Sequence, residues 1–256
     1  MSGRLVGRVV HVDTGALSLL VTNYFLSLIS VMMTEGHGIN IIRVILVTGL
    51  AALNIMSLTR VHLSLIARAR SRDYLLFLVN VLPYAALLIY LGPWLLIPTV
   101  PLLLFIIEVL RGNGRSVIAN VSGTTLIASS YIAWYVLMGG ELTVRAIALS
   151  IVWIIYHAFS ALYVESKLPF RQGIRPYYSS VLWFIGLPAL VYVLYVGSGL
   201  LSLVVLVEPT VRAFLAIKEG KLGMGDLRNR IRKIGIRLLI ESLALACLLI
   251  IFGYLY

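Results

Sequence analysis

An all-α fold, a polytopic bundle of transmembrane helices, is what this sequence predicts, and three observations predict it. Of 256 residues, 61% are apolar and 12% charged; soluble domains carry about twice that charged share. Mean hydropathy is +1.01. The apolar residues also fall in runs near the ~20 residues that cross a ~30 Å hydrocarbon core, separated by basic segments. So few polar residues cannot cover a water-facing surface. That excludes a soluble globular enzyme, a disordered tail and a secreted disulfide scaffold.

Nine spans follow in order, at about residues 15–33, 40–58, 74–91, 93–110, 117–138, 146–165, 177–196, 198–216 and 237–255. The first follows Arg4 and Arg8 with no small-residue cleavage site, so it reads as a span rather than a signal peptide. Residues 74–110 in one helix would extend about 55 Å, so the chain must fold back, and Gly92-Pro93 is the turn. Residues 177–216 would extend about 60 Å, and Gly197-Ser198-Gly199 supplies the break. Ahead of the last span, Asp226 can cap a helix. In it Leu227, Ile231, Ile234 and Leu238 form one face, and Arg228, Arg230, Arg232 and Lys233 the others. That is a basic amphipathic helix over about 226–236, lying on the membrane surface. Anionic lipid headgroups are its expected partners along Arg228–Arg237; a lid over a cytoplasmic pocket is the other reading. No internal repeat divides the chain, so residues 1–256 read as a single integral membrane domain.

With the N-terminus inside, the inner segments hold 19 of the 21 basic residues, and only Arg43 and Arg145 fall outside. The positive-inside rule then predicts N-in and C-out, in the cell membrane with the N-terminus cytoplasmic. The net charge of +11 is therefore topological, and nucleic acid is not an expected partner. Outer connections are short, so a site should open to the cytoplasm. Trp94, Trp134, Trp153 and Trp183 suit interfacial belts and packing.

Ionisable residues at membrane depth are costly and mark candidate positions. Glu108, Glu165, Glu208 and Glu241 sit at inner helix ends near Arg111 and Arg115, Lys167, Arg212 and Arg237 respectively. Glu108–Arg111 and Glu208–Arg212 have the i,i+3 and i,i+4 spacing of local pairs. Either these are ion pairs that neutralise interface charge, or the helix ends converge into one polar basin whose arginines grip an anionic head. The candidate substrate-binding set is Arg60, Glu108, Arg111, Arg115, Asn120, Glu165, Lys167, Glu208 and Arg212. Its bases would take the head, and its carboxylates would orient them or move protons. Asn120 opens a polar helix start after Arg111-Gly-Asn-Gly-Arg115, where glycines let backbone N–H groups approach an anion.

Asn23, Asn54 and Asn80 read as interhelical hydrogen bonds. Only His157 lies well inside a span, and axial haem ligation by two histidines needs a second at similar depth, which the spans do not offer. The one cysteine, Cys247, makes neither an internal disulfide nor a thiolate metal site. Walker, HExxH, Ser-His-Asp and DxxxD patterns are missing, so no metal, cofactor or catalytic residue is assigned.

The stretches Arg111–Gly123 (RGNGRSVIANVSG), Trp153–Lys167 (WIIYHAFSALYVESK), Val207–Phe214 (VEPTVRAF) and Lys233–Glu241 (KIGIRLLIE) resemble, in order and spacing, the YwiC-like family of prokaryotic membrane proteins. More distantly, the nine-helix N-in topology and the region from Glu108 to Gly140 are similar to UbiA-type intramembrane prenyltransferases. That resemblance implies a site at the cytoplasmic loops after the second and sixth helices. Here those loops read LTRVHLSLIARARSRD and YVESKLPFRQG, with Asp73 and Glu165 as their acids. They lack the Asp-rich motifs, so magnesium-dependent prenyl transfer by the usual residues is not implied. Two functions stay open: a UbiA-like binder or transferase of an isoprenoid, quinone or lipid at a basic cytoplasmic basin, and a transporter or accessory subunit of a membrane complex. The second draws on Pro98, Pro101 and Gly186-Leu-Pro188 as helix breakers near the bilayer midplane.

Overall fold

The structure, a computed structural model, describes residues 13–35, 39–68, 70–86, 92 and 96–254. Arg4, Arg8, His11, His37, Pro93 and Trp94 lie outside them. The described residues form α1 (Thr14–Glu35), α2 (Ile41–Arg68), α3 (Ser71–Ala86), α4 (Leu96–Leu110), α5 (Val117–Ala128) and α6 (Ser130–Leu137). Then come α7 (Val144–Lys167), α8 (Tyr178–Ser198), a 3₁₀ segment (Leu200–Leu206), α9 (Val207–Lys218) and α10 (Leu227–Tyr254). Six stretches are long and apolar enough to cross a membrane: Thr14–Thr34, Ile41–His62, Val144–Lys167, Tyr178–Ser198, Leu200–Lys218 and Leu227–Gly253. The chain is thus a multi-pass helical membrane protein. Leu96–Leu110 is apolar but shorter, and α3 is described over 16 residues.

The structure departs from the sequence reading at three places. The expected fifth span is two helices, α5 and α6, parted at Ser129. Freed carbonyls around a break in a membrane must find donors, and α1 supplies them. Asn23 Nδ2 donates to the Ile127 carbonyl at 2.7 Å and Ser27 Oγ to that of Tyr131 at 2.9 Å. The eighth span begins as a 3₁₀ turn and becomes α-helical at Val207. Pro209 accounts for the change: it has no N–H for an i→i−4 bond to Val205, but it fits the first turn of a new helix. Finally, the basic segment after Asp226 is not a helix of its own. It runs unbroken into the last span as one 28-residue helix, α10, because the stripe from Leu227 to Leu238 stays in phase with the apolar run beyond it. Asp226, at φ +52°, stands at the helix start as expected, its carbonyl accepting from the Arg230 N–H at 3.2 Å, while its Oδ1 accepts from the Asn229 side chain.

Around α7 pack α5, α8 and α10, and α1 closes against α2, α5, α6 and α10. The core between them holds Trp134, Trp153, Trp183, Tyr131, Tyr135 and Tyr156, all sealed, so packing accounts for these tryptophans rather than an interfacial belt. The in-span asparagines are tied across helices. Asn23 also accepts from Trp153 Nε1 at 2.8 Å, and Asn54 Nδ2 donates to Asn80 Oδ1 at 2.8 Å. Tyr84 bridges Asn54 to the Trp134 indole N–H.

Candidate functional site: a polar-walled cavity at the basic end of the bundle

Five helices meet at one place: the start of α1, the last third of α2, α5, the C-terminal half of α7 and the third to fifth turns of α10. Between them lies a cavity of about 450 Å³. Its lining includes the polar side chains of Asp13, His62, Asn120, Tyr156, His157 and Glu165 and the apolar ones of Leu19, Ile127, Val164, Leu238 and Leu239. The basic segments, among them Arg60, Arg111, Arg115 and Arg171, sit at this same end.

Asp13 begins the wall by capping α1: Oδ1 accepts from the backbone N–H groups of Gly15 and Ala16, each at 3.0 Å. Its Oδ2 faces His62 Nδ1 at 2.9 Å. Burial pushes the Asp13 carboxyl up, but the hydrogen bond from His62 and those from the backbone outweigh it, so it is held below the usual carboxylate range. Asp13 is therefore ionised at neutral pH and His62 Nδ1 is the donor. The opposite ring edge is sealed: the ring stacks on Phe105 at 5.7 Å, and a Cβ on Gly123 would sit 2.8 Å from Nε2. Gly123 is what allows α5 this close to His62.

On the far side, Asn120 Nδ2 donates to Glu165 Oε1 and Arg171 Nε to Glu165 Oε2, both at 2.7 Å. His157 packs edge-on against Trp153 and Tyr156, and its Nε2 finds no partner among the described residues. Behind Tyr156 and Ser160 sits Arg212, 3% exposed. It donates to Tyr156 Oη (2.9 Å), Ser160 Oγ (3.1 Å) and Glu241 Oε2 (2.8 Å). Its guanidinium lies over the rings of Tyr156, Phe159 and Tyr163 at 4.9–5.3 Å.

Only Asn120 and Glu165 of the sequence-predicted set line the cavity. Arg60 is exposed on α2, and Arg111, with its side chain 69% exposed, only approaches Glu108 at 3.8 Å. Glu108 is instead buried and accepts from Ser116 Oγ at 2.6 Å. Arg115 is exposed, and its carbonyl accepts from Arg171. Lys167, 2% exposed, pairs with Glu219 at 2.9 Å rather than with Glu165, since positions two apart on a helix point to different faces. Arg212 meets Glu241, not Glu208, whose Oε2 is buried with no hydrogen-bond partner among the described residues. The bases therefore do not converge on one basin; most are spent on carboxylates or project outward.

Sequence reasoning missed Asp13, His62, Tyr156, Ser160, Arg171 and Glu219. The Asp-Thr-Gly entry into the first span was the signal for Asp13. Glu219 closes a strap over the end of α7, accepting from Lys167 and from Tyr163 Oη at 2.5 Å, while Leu222 N–H donates to the Lys167 carbonyl at 2.9 Å. Burial raises the Glu219 carboxyl, but the Tyr163 and Lys167 hydrogen bonds and the charges of Lys167 and Arg237 bring it below its usual range.

His62 and His157 share the cavity wall, whereas the spans had offered no second histidine at the depth of His157. Yet His62 has one nitrogen bonded to Asp13 and the other sealed, so it is not presented as an axial ligand. Among the described residues no three His, Cys, Asp or Glu side chains converge to hold a metal ion. A second cavity of about 210 Å³, bounded by Leu58, Phe77, Val81, Leu102 and Ala133, lies deeper and shares Ile127 with the first; its asparagines, Asn54 and Asn80, are already paired. No protein-family model matches the chain, and neither does a curated protein or a solved structure.

Proposed function

We propose that this chain is a UbiA-like membrane bundle, related to the YwiC-like family, that binds an amphiphile of the isoprenoid, quinone or lipid class, as a carrier or as a transferase. It resides in the cell membrane with nine spans, its N-terminus cytoplasmic and its last helix ending outside; the segregation of its basic residues supports that orientation. The observation that carries the reading is the cavity at the basic end. Its volume falls in the range of small-molecule sites, and its lining sets a few polar groups among apolar side chains. The deeper apolar cavity beyond Ile127 suits a tail. Arg228, Arg230, Arg232 and Lys233 are exposed at the start of α10 and attract anionic headgroups at the cytoplasmic surface. Photo-crosslinking with a diazirine-tailed isoprenoid tests this: label should fall on peptides of α1, α7 and α10. Label spread over the lipid-facing residues of α3 and α4 instead would refute it.

One observation favours a transporter. The break at Ser129 and the 3₁₀ segment at Leu200–Leu206 are interruptions of the kind transporters use near the midplane. Solute flux in proteoliposomes, abolished by filling the cavity, would support that role.

A further inference from the structure

The cavity wall has a chemical character the sequence did not suggest. Among the described residues no lysine or arginine lines it; the acidic side chains that do are those of Asp13 and Glu165. The nearest bases are turned to other work. Arg212 stands behind Tyr156 and Ser160, bound to Glu241; Lys167 is locked to Glu219; Arg171 holds Glu165 from its far side.

A phosphate or diphosphate entering here would meet two carboxylates and, among the described residues, no guanidinium or ammonium that lines the cavity. A head that donates hydrogen bonds would find acceptors. Each Glu165 oxygen receives one donor, from Asn120 or Arg171, and a carboxylate oxygen accepts two. His157, in the same lining, adds an imidazole nitrogen with no partner among the described residues, and Tyr156 and Ser160 add hydroxyl oxygens. An ammonium is less well suited than an alcohol. Asp13 already has three N–H donors and Glu165 a guanidinium, so the wall carries little unopposed negative charge.

We propose that the cavity takes an uncharged, hydroxyl-bearing head on an apolar chain, an alcohol or polyol, and discriminates against the phosphorylated form of the same molecule. This rests on the cavity being the ligand site.

Farnesol and farnesyl diphosphate share one tail and differ only in the head, so they isolate the question. Each is titrated into the full-length protein in mild detergent and bound species are counted by native mass spectrometry. The same titrations are run on Ala161→Phe, which fills the cavity from α7, and on Glu165→Gln. Ser18→Phe fills it from α1 in case the α7 variant does not fold. The expected result is cavity binding of farnesol tighter than that of the diphosphate by about tenfold or more, lost in the filling variants and weakened in Glu165→Gln. Diphosphate held outside, on exposed arginines, should be indifferent to all three variants. A diphosphate that binds as tightly as farnesol or tighter, and is displaced by the filling variants, overturns the head assignment while leaving the site intact. If neither probe responds to filling, the site reading itself fails.

Discussion

Removing the two ends of the Arg212–Glu241 pair should cost unequal amounts. Glu241→Leu leaves the Arg212 guanidinium sealed at 3% exposure, hydrogen-bonded to the neutral oxygens of Tyr156 and Ser160, lying over three aromatic faces and with Glu208 acting on it through charge but no hydrogen bond among the described residues. Stranding one member of a buried pair costs about 3–5 kcal/mol. Because the rings and hydroxyls remain, the lower end, about 3 kcal/mol, is expected. Arg212→Met is milder. Glu241 keeps Arg237, whose Nε donates to it at 2.7 Å from a partly exposed position, so the loss should be about 1–2 kcal/mol. The double variant removes both buried charges and should be more stable than Glu241→Leu alone. Reversible denaturant unfolding in micelles, followed by tryptophan fluorescence, measures all three against the parent. An Arg212→Met loss equal to or larger than that of Glu241→Leu, or strictly additive losses in the double variant, would refute the reasoning.

Gly123→Ala should destabilise by about 1 kcal/mol net, the clash with His62 Nε2 and the Phe105 ring exceeding the helix-propensity gain. A smaller side chain at His62 should remove the penalty, as a melting-temperature comparison of the single and double variants will show. Asp13, held low in the folded state, binds fewer protons there than when unfolded, so it stabilises above its unfolded pKa near 4 and loses that contribution as pH falls through its folded value. Glu219 acts in the same sense. Melting temperatures from pH 7 to pH 3 should drop less steeply for Asp13→Asn than for the parent; identical slopes would contradict the assignment. Lys167→Met should release the 219–222 strap and speed tryptic cleavage at Lys218 and Lys221, an effect visible on a gel within a time course. An unchanged cleavage rate would mean that backbone bonds alone hold the strap.

What the sequence made legible was what one-dimensional periodicity encodes: apolar runs, the φ-positive glycine at Gly199 where α8 ends, and the segregation of bases. Local spacing also found Glu108–Arg111 and Arg237–Glu241. It could not find Lys167–Glu219 or Arg212–Glu241, which depend on how α7, α9 and α10 rotate against one another. The same rotation decides which side chains face the cavity. It selected Asn120 and Glu165 and turned the arginines away, so a residue-type reading expected a basic site where the wall is acidic and hydroxylic. The break at Ser129 was invisible because neither glycine nor proline marks it; hydrogen bonds from Asn23 and Ser27 hold it from another helix. Pro209 did announce the change at Val207, and a closer reading of that residue would have placed it.

The central claim, that the cavity at the basic end holds an amphiphile, is tested most directly by native mass spectrometry of the purified protein beside an Ala161→Phe variant of matching melting temperature. The account predicts one stoichiometric long-chain molecule on the parent, absent from the variant. The same molecule on both, or bulk lipid alone on both, would contradict it.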